Sequence, residues 1–264
     1  MSLSREQMLV EMGITPIWVL RDTEYGAQPV EAAVVEAEAR APAPEAAPAI
    51  VPEPAPLARP APAAALRPMA PVDTLNWPEL AKQVAECRAC ALCEQRKQAV
   101  LGVGDLNPDW LFIGEGPGAE EDVKGEPFVG QAGKLLDAML ASLDIARGNR
   151  VYIANAVKCR PPGNRTPEAA EMAACWPYLE RQMALLKPKI IVLLGKAAVH
   201  AVLHDDKSLA SLRGKRYEYG GIPMVVTYHP AYLLRNLPDK AKAWEDLLFA
   251  RRLLREAVSP ELPF

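Results

Sequence analysis

The sequence predicts an α/β protein, a three-layer α/β/α sandwich with a mostly parallel central sheet. Short apolar runs alternate with amphipathic segments of helical period from about residue 75 onward, which is the pattern of β-α units. One run, Lys189–Leu194 (KIIVLL), is almost purely apolar, as expected of a central parallel strand that is covered on both faces. These observations predict a single folded domain over residues 73–264.

The predicted strands are short apolar runs bounded by polar residues, glycine or proline. In chain order they are Trp110–Ile113, Val151–Val157, Lys189–Leu194, Tyr217–Tyr219 and Met224–Thr227. The predicted helices are longer and carry their apolar residues on one face. They are Leu75–Glu86 with Asp73 or Thr74 as its cap, Gln131–Leu143, a helix from the cap Thr166 to about Leu186, Lys196–Leu203, and Asp239–Val258.

The first 72 residues differ from the rest in composition. Residues 1–24 contain an apolar segment with Trp18 that is too short to form its own core, so we expect a partner-docking peptide there. Residues 25–72 are rich in Ala and Pro, with 11 prolines between Pro29 and Pro71. This composition predicts a disordered linker that acts as a spacer.

The charge is divided between these parts. Residues 1–73 carry 5 Lys+Arg and 10 Asp+Glu, which leaves 25 and 23 for the rest of the chain, a net charge of +2. A mildly basic domain permits nucleic-acid binding without demonstrating it. No apolar run reaches the ~18 residues of a membrane span, and the N-terminus does not have the basic-then-apolar order of a secretory signal. We therefore expect a cytoplasmic monomer with reduced cysteines.

Three polar clusters each follow an apolar run. The first is the glycine-rich turn Gly114–Gly118 (GEGPG), the second is Asn155–Arg165, and the third is His229–Arg235. In open α/β sheets, ligands bind at the carboxyl ends of the strands. Glycines in such a turn let the backbone approach a ligand closely. The three clusters therefore predict one binding site at this edge of the sheet.

The five cysteines suggest a metal site. Cys87 and Cys90 form a C-x-x-C motif, and Cys159 and Cys175 follow at a distance. Two motif cysteines with two distant ones suit a site of four thiolates, either a [4Fe–4S] cluster or zinc. Sequence spacing does not separate these two. We expect Cys93 to be an ordinary core thiol.

The domain from about Leu75 to Glu256 resembles the family 4 uracil-DNA glycosylases, which carry a [4Fe–4S] cluster. The resemblance rests on GEGPG with Glu120–Asp122, on PFVG at Pro127–Gly130, on NAVKCRPPGNR at Asn155–Arg165, on YHPAYLLRN from Tyr228, and on the cysteine pattern. Gly116 stands where the family usually has Ala. A related covalent uracil-binding group has a basic insertion after its second motif, and the absence of that insertion here favours an enzyme that turns over.

The resemblance implies a DNA-repair glycosylase that flips uracil out of DNA and hydrolyses its N-glycosidic bond. It implies a cluster held by Cys87, Cys90, Cys159 and Cys175, with zinc as the alternative. No lysine occupies a motif position suited to Schiff-base chemistry, so we expect a monofunctional enzyme without β-lyase activity.

The expected roles follow from the chemistry of each side chain. Phe128 offers an aromatic face to the extruded base, and the Asn155 amide has the donor and acceptor that match the O4 and N3–H edge of uracil. His229 can donate a hydrogen bond to O2 as the leaving group becomes anionic. Glu115 is the carboxylate best placed to orient water, with Glu121 as a second choice that supports the loop. Gly116 is expected against the base.

The motif Tyr232–Arg235 suggests how the enzyme holds DNA. Apolar side chains, Leu233 among them, would fill the space that the flipped base vacates, and Arg235 would contact phosphate. Further phosphate contacts are expected from Lys158, Arg160 and Arg165.

Two other functions remain open at this point. The first is a non-catalytic uracil- or DNA-binding protein with the same fold. The second is a replication accessory protein, because residues 8–22 are similar to the N-terminal peptide of the psi subunit of the bacterial clamp loader. That resemblance implies docking to the chi subunit through residues 1–22.

Overall fold

The computed structural model describes residues 71–258. The predicted docking peptide 1–24, nearly all of the predicted linker 25–72, and residues 259–264 lie outside the described residues. Within the described range, no helix combines the length and apolar character that crossing a membrane requires.

A six-stranded sheet forms the centre of the domain, in the order β1-β3-β2-β4-β6-β5. The strands β2, β3, β4 and β6 run parallel to one another, and β1 and β5 pair antiparallel at the two edges. The predicted mostly parallel sheet is therefore confirmed. The strands are β1 (Val103–Gly104), β2 (Trp110–Gly114), β3 (Val151–Asn155), β4 (Ile190–Leu194), β5 (Tyr217–Tyr219) and β6 (Ile222–Thr227).

Helices cover both faces of this sheet, which gives the predicted three layers. They are α1 (Trp77–Glu86), α2 (Leu92–Gln95), α3 (Ala119–Lys124), α4 (Gln131–Ala141), α5 (Ala169–Leu186), α6 (Lys196–Leu203), α7 (Leu209–Leu212), α8 (Pro230–Leu233) and α9 (Asp239–Val258). Short 3₁₀ turns lie at Val72–Thr74 and Pro162–Asn164.

The two helix caps predicted from sequence are wrong by a few residues. Helix α1 is capped by Asn76, whose side chain accepts from the backbone N–H of Glu79 while Glu79 bonds back to the cap. Helix α5 is capped in the same way by Glu168 rather than Thr166. In both places a carboxylate three residues after the cap completes a capping box, which satisfies two backbone donors at once.

Strand β3 ends two residues earlier than predicted. Beyond Asn155, the backbone N–H groups of Ala156 and Val157 donate to the carbonyl oxygens of Gly114 and Glu115. These bonds tie the loop after β3 to the loop after β2. The edge strand β1 was not predicted, because two residues that include a glycine carry no alternation of apolar and polar side chains.

Strand β4 shows how the layers are built. Ile190, Val192 and Leu194 join an apolar core with residues of α4 and α9. Ile191 and Leu193 point to the opposite face, into a core with residues of α5 and α6. Because both faces are covered, the strand has no position for a polar side chain, which explains its continuous apolar sequence.

Candidate active site

A cleft of about 800 Å³ opens at the carboxyl ends of the parallel strands. Strand β2 lies between β3 and β4, and the chain passes from β3 on one side of β2 to β4 on the other. The cleft therefore lies at the switch point of the sheet, where α/β proteins bind ligands. The predicted site residues that line it are Glu115, Gly116, Glu121, Phe128, Asn155, Arg165, His229 and Arg235. All three sequence clusters therefore meet in one place.

The floor of the cleft depends on Gly114, the last residue of β2. A Cβ atom at this position would lie 2.5 Å from both Asn155 Oδ1 and Phe128 Cζ. The missing side chain lets the Phe128 ring and the Asn155 amide approach the same point. Phe128 itself has a φ of +55°, an uncommon conformation for a bulky residue that positions its ring at the cleft.

A second glycine supports Phe128 from below. A Cβ atom on Gly133, in the first turn of α4, would lie 1.7 Å from the carbonyl oxygen of Phe128. Only a glycine allows the helix to pack this closely against the loop. Sequence reasoning missed Gly133 because a single glycine inside a helical pattern does not show what approaches it.

Asn155 is almost completely buried. Its side-chain Oδ1 is buried and has no hydrogen-bond partner among the described residues. An unpaired buried acceptor is costly, by about 1–3 kcal/mol. An acceptor left open in a cleft is therefore expected to have a ligand as its partner.

A hydrogen bond to one ring nitrogen of His229 determines which nitrogen carries the proton. Its Nδ1 accepts a hydrogen bond from the backbone N–H of Ala231 at 3.2 Å. Burial, together with the positive charge of Arg235, lowers the pKa of the imidazole to about 4, although the negative charge of Glu121 opposes this shift. The ring is thus neutral at pH 7 and carries its proton on Nε2, which remains available as a donor.

The two carboxylates of the acidic loop have different surroundings. Burial raises the pKa of Glu115, and a hydrogen bond with the Thr166 side chain opposes this rise. Glu121 Oε1 instead accepts from the backbone N–H groups of Val129 and Gly130, at 3.0 and 3.2 Å. Glu121 therefore holds the loop that follows Phe128.

Two predicted DNA contacts are contradicted by the structure. Leu233 is only 1% exposed, because it packs in a core with Tyr228 and Ala243; the exposed neighbour is Leu234, at 42%. Lys158 is also 1% exposed, and its Nζ donates to the carbonyl oxygen of Asn155 at 2.8 Å. Neither side chain reaches the surface where DNA would lie.

The arginines predicted to bind phosphate differ in whether their guanidinium groups already have hydrogen-bond partners within the protein. Arg235 is exposed at the rim of the cleft, and no hydrogen-bond or ion-pair partner is found for its guanidinium group among residues 71–258. Arg165 forms two hydrogen bonds with the Glu171 carboxylate, at 2.8 and 2.6 Å, which fixes it to the start of α5. The Arg160 Nε donates to Asn164 Oδ1.

Four further residues line the cleft, namely Thr166, Lys196, Tyr228 and Tyr232. Tyr228 and Tyr232 belong to the third motif, in which Tyr232 was expected to help hold DNA. Lys196 begins α6 and donates to the carbonyl oxygen of Asp206. Sequence reasoning missed Thr166 and Lys196 as cleft residues, because nothing separates them from ordinary loop and helix positions.

Four of the five cysteines line a second cavity. Cys87, Cys90, Cys159 and Cys175 surround it together with Arg96, Lys158 and Tyr178, while Cys93 is not part of its lining. The Arg96 Nη1 donates to Cys159 Sγ at 2.7 Å, and the backbone N–H of Lys158 donates to Cys175 Sγ at 3.3 Å. The cavity thus gathers the cysteines predicted to act together.

The electrostatics of this cavity are unusual for a protein interior. Burial raises the pKa of the Cys159 thiol, and raises that of Cys175 to about 12. Burial also lowers the pKa of the Lys158 ammonium to about 8, an effect that the Cys175 and Cys159 sulfurs oppose. In the part of the chain that the structure describes, no carboxylate forms an ion pair with Lys158. The cavity therefore has cationic groups whose natural partners are negatively charged sulfurs.

Comparisons with known proteins agree with this arrangement. The family described as the uracil DNA glycosylase superfamily matches residues 101–248. The chain is 41% identical over 181 residues to a type-4 uracil-DNA glycosylase of Thermotoga maritima, covering 67% of this chain and 94% of the relative.

Two further relatives, one of type 4 and one of type 5, show which type of uracil-DNA glycosylase the chain resembles more. A type-4 uracil-DNA glycosylase of Saccharolobus solfataricus is 40% identical over 192 residues, or 70% of this chain and 87% of the relative. A type-5 uracil-DNA glycosylase of Mycobacterium leprae is 31% identical over 195 residues, which cover 58% of this chain and 84% of the relative. The higher identity is with the type-4 proteins. The chain therefore belongs to the uracil-DNA glycosylase superfamily and, within it, to the type-4 family.

Proposed function

We propose that this protein is a monofunctional uracil-DNA glycosylase of DNA repair. It binds uracil-containing DNA, flips the uracil out of the duplex and hydrolyses the N-glycosidic bond. The C1′–N1 bond breaks, and water supplies the hydroxyl at C1′ and a proton to the base. The products are free uracil and DNA with an abasic site. The observation that carries this proposal is the convergence of Phe128, Asn155 and His229 on one cleft.

Recognition of the base is assigned to Phe128 and Asn155. The Phe128 ring supplies a face for stacking, which is how enzymes hold an extruded base. The unpaired Asn155 Oδ1 is suited to accept the N3–H of uracil, while the amide NH₂ donates to O4. Cytosine presents the reverse pattern at these atoms and would leave the amide unpaired.

Stabilisation of the leaving group is assigned to His229. As the glycosidic bond breaks, negative charge develops on uracil O2. A neutral imidazole with its proton on Nε2 can donate to that oxygen, and a donor that is already in place needs no reorganisation. The backbone N–H of Ala231 fixes this tautomer by donating to Nδ1.

Positioning of the water is assigned to Glu115. Its raised pKa makes the carboxylate a stronger acceptor for a water proton, and its negative charge would offset the positive charge that develops on the sugar. Glu121 supports the reaction indirectly, because it holds the backbone that carries Phe128. Gly116 lines the cleft, and a Cβ at this position would come within 2.8 Å of Val157 Cγ2.

Contacts with DNA are assigned to the rim around α8. Leu234 replaces Leu233 as the side chain that enters the stack, because it is the exposed leucine of the motif. Arg235 is the phosphate contact with a free guanidinium. Arg165 and Arg160 could add weaker contacts, since their guanidinium groups already have partners.

The cysteine cavity fits a [4Fe–4S] cluster held by Cys87, Cys90, Cys159 and Cys175. The fit is supported by the four sulfurs around one cavity and by the cations Arg96 and Lys158, which suit a group with anionic sulfur ligands. When bound, such a cluster would supply structural support to the loop that begins at Cys159.

Zinc is the alternative occupant of this cavity. Among residues 71–258 no three His, Cys, Asp or Glu side chains are arranged as ligands of a metal ion, which favours neither zinc nor the cluster. Zinc requires its ligands about 2.0–2.3 Å from one point, whereas a cluster separates its cysteine ligands across several atoms.

The remaining assignments come from the sequence. We infer a cytoplasmic monomer whose N-terminal residues 1–22 dock the chi subunit of the clamp loader through a linker at 25–72. A pull-down of chi with the full chain and with a chain that lacks residues 1–72 tests the docking. Excision from short oligonucleotides should be the same for both chains.

Release of free uracil is the experiment that tests the main proposal. The substrates are a duplex with U:G, a duplex with U:A and a single strand, with the corresponding cytosine-containing duplex as control. We expect free uracil and an abasic site from the uracil-containing DNA alone. Binding to uracil-containing DNA without release of uracil would instead identify a non-catalytic binding protein.

A further inference from the structure

The Lys158 side chain lies between the cysteine cavity and the base cleft. It lines the cavity, where its backbone N–H donates to Cys175 Sγ, and it is next to Cys159 in sequence. At its other end, Nζ donates to the carbonyl oxygen of Asn155 at 2.8 Å. A single residue therefore contacts both a proposed cluster ligand and the residue proposed to read the base.

The Asn155 carbonyl oxygen is held from inside the protein by Lys158 Nζ. The backbone N–H groups of the next two residues, Ala156 and Val157, donate to the carbonyl oxygens of Gly114 and Glu115. Together these bonds fix the backbone from which the Asn155 side chain projects. The side-chain Oδ1 has no hydrogen-bond partner among the described residues, so its direction depends on that backbone.

The counter-charge for Lys158 comes from the cavity. Burying an ammonium is costly unless an opposite charge lies close. Lys158 lines the cavity together with Cys159 and Cys175, and cysteines that bind a metal are thiolates. A loaded cavity therefore stabilises the ammonium in the position from which it reaches Asn155.

We propose that Lys158 is a positioning residue that connects the two sites: the cysteine thiolates hold its ammonium, and the ammonium holds the Asn155 carbonyl oxygen. Loading of the cysteine site thereby sets the geometry of base recognition. This inference rests on the proposed glycosylase function.

The test replaces Lys158 by Met, which keeps an apolar stem and removes the ammonium. The control is Lys215→Met, which makes the same change at an exposed lysine that lines neither the cleft nor the cysteine cavity. For iron-loaded protein we measure kcat and KM for uracil excision, binding to uracil-containing and uracil-free duplexes, and the rate of iron release to a chelator.

We expect Lys158→Met to lower kcat per iron-loaded chain by about 10–100-fold, the usual effect of a residue that orients a site. Affinity for uracil-free DNA should stay within about twofold, so the preference for uracil-containing DNA should fall. Iron release should be about 10-fold faster, because the thiolates lose a counter-charge. Lys215→Met should match the wild type in all of these measurements.

Two results would overturn the inference. One is an iron-loaded Lys158→Met protein with wild-type kcat and uracil preference. The other is a purely structural effect, with less iron and a lower melting temperature but an unchanged rate per iron-loaded chain. If Lys158→Met does not fold, Lys158→Gln, which keeps a donor without the charge, is compared in the same way. A wild-type protein that releases no uracil would contradict the proposed function instead, while the iron-release comparison would still test the link to the cysteines.

Discussion

The Phe128 ring lies 5.4 Å from the His229 ring, measured between centroids, with 30° between the two planes. The two residues come from different elements, since Phe128 precedes α4 and His229 caps α8. Their contact joins the proposed stacking face and the proposed leaving-group donor. A neutral imidazole suits this position, because it can both pack against an aromatic ring and donate a hydrogen bond.

Replacing His229 by Ala should lower the single-turnover rate of uracil excision by about 10²–10³-fold. This is the usual loss when one donor to a developing anion is removed. Affinity for uracil-containing DNA should change little, because the donor acts mainly as charge develops. A variant that loses DNA affinity but keeps its single-turnover rate would show that His229 does not stabilise the leaving group.

The low pKa of His229 has a consequence for pH dependence. Because burial lowers this pKa to about 4, the ring stays neutral from pH 8 to pH 5, and kcat should show no limb near the ordinary histidine value of about 6.5. The unfolded chain binds this proton more readily than the folded one. The stability contributed by the neutral ring is therefore fully present above about pH 6.5 and is lost as the pH falls toward 4.

The measurement for this prediction is a pair of pH profiles, of kcat and of the free energy of unfolding. His229→Gln should show a smaller loss of stability between pH 6.5 and 4 than the wild type, since it has no titrating ring. A wild-type kcat limb near pH 6.5 would contradict the assignment of a neutral donor.

Replacing Asn155 by Asp should weaken the selection of uracil. An ionised carboxylate can accept the N3–H of uracil but has no donor for O4. Single-turnover excision is measured on uracil- and cytosine-containing duplexes of the same sequence. Asn164→Asp, in the neighbouring 3₁₀ turn, serves as the control for added charge. Unchanged uracil excision and unchanged base preference in Asn155→Asp would rule out a base-reading role.

Replacing Gly133 by Ala should destabilise the protein although it improves helix propensity. The propensity gain is about 1 kcal/mol, but the new Cβ would lie 1.7 Å from the Phe128 carbonyl oxygen, which is backbone and must move. Overpacking typically costs 1–3 kcal/mol. We expect a net loss in the free energy of unfolding and a lower excision rate, as Phe128 is displaced.

The reverse change at an exposed position in the interior of the same helix, Ala138→Gly, measures the effect of helix propensity alone. It should lower stability by about 1 kcal/mol without lowering the rate. A Gly133→Ala protein more stable than the wild type would show that the loop adjusts without strain.

The purified protein should be brown and contain iron. Cys175→Ser should lose most of that iron, whereas Cys93→Ser should retain it, because Cys93 is not part of the cavity that the other four cysteines line. Iron and zinc are measured per chain by elemental analysis. A colourless protein with one zinc per chain would contradict the cluster.

The parts of the fold that could be predicted from sequence are those with a repeated signal. Strand β4 and helix α9 were found at or within one residue of their bounds, because each presents a long run of one period. The capping residues of α1 and α5 were missed, since several polar residues near each start could serve and only the capping box selects among them.

The site shows the same division. Glu115, Asn155 and His229 could be placed because each lies at the end of a strand or within two residues of it. The direction of a side chain within a loop or short helix could not, and for this reason Leu233 was predicted to face DNA although it is buried and its neighbour Leu234 is exposed. Lys158 was taken as a surface cation because lysines are seldom buried, whereas the cavity beside it provides partners that the sequence does not reveal.

The bonds that Ala156 and Val157 donate to Gly114 and Glu115 join the acidic loop to the loop that follows Asn155. Because these bonds continue the pairing of β2 and β3, the amide protons of Ala156 and Val157 should exchange with solvent only when the end of the sheet opens. This side of the pocket is therefore tied to the sheet below it. Adjustment to differently shaped DNA is left to the opposite side, where Leu234 and Arg235 lie exposed just after a short helix.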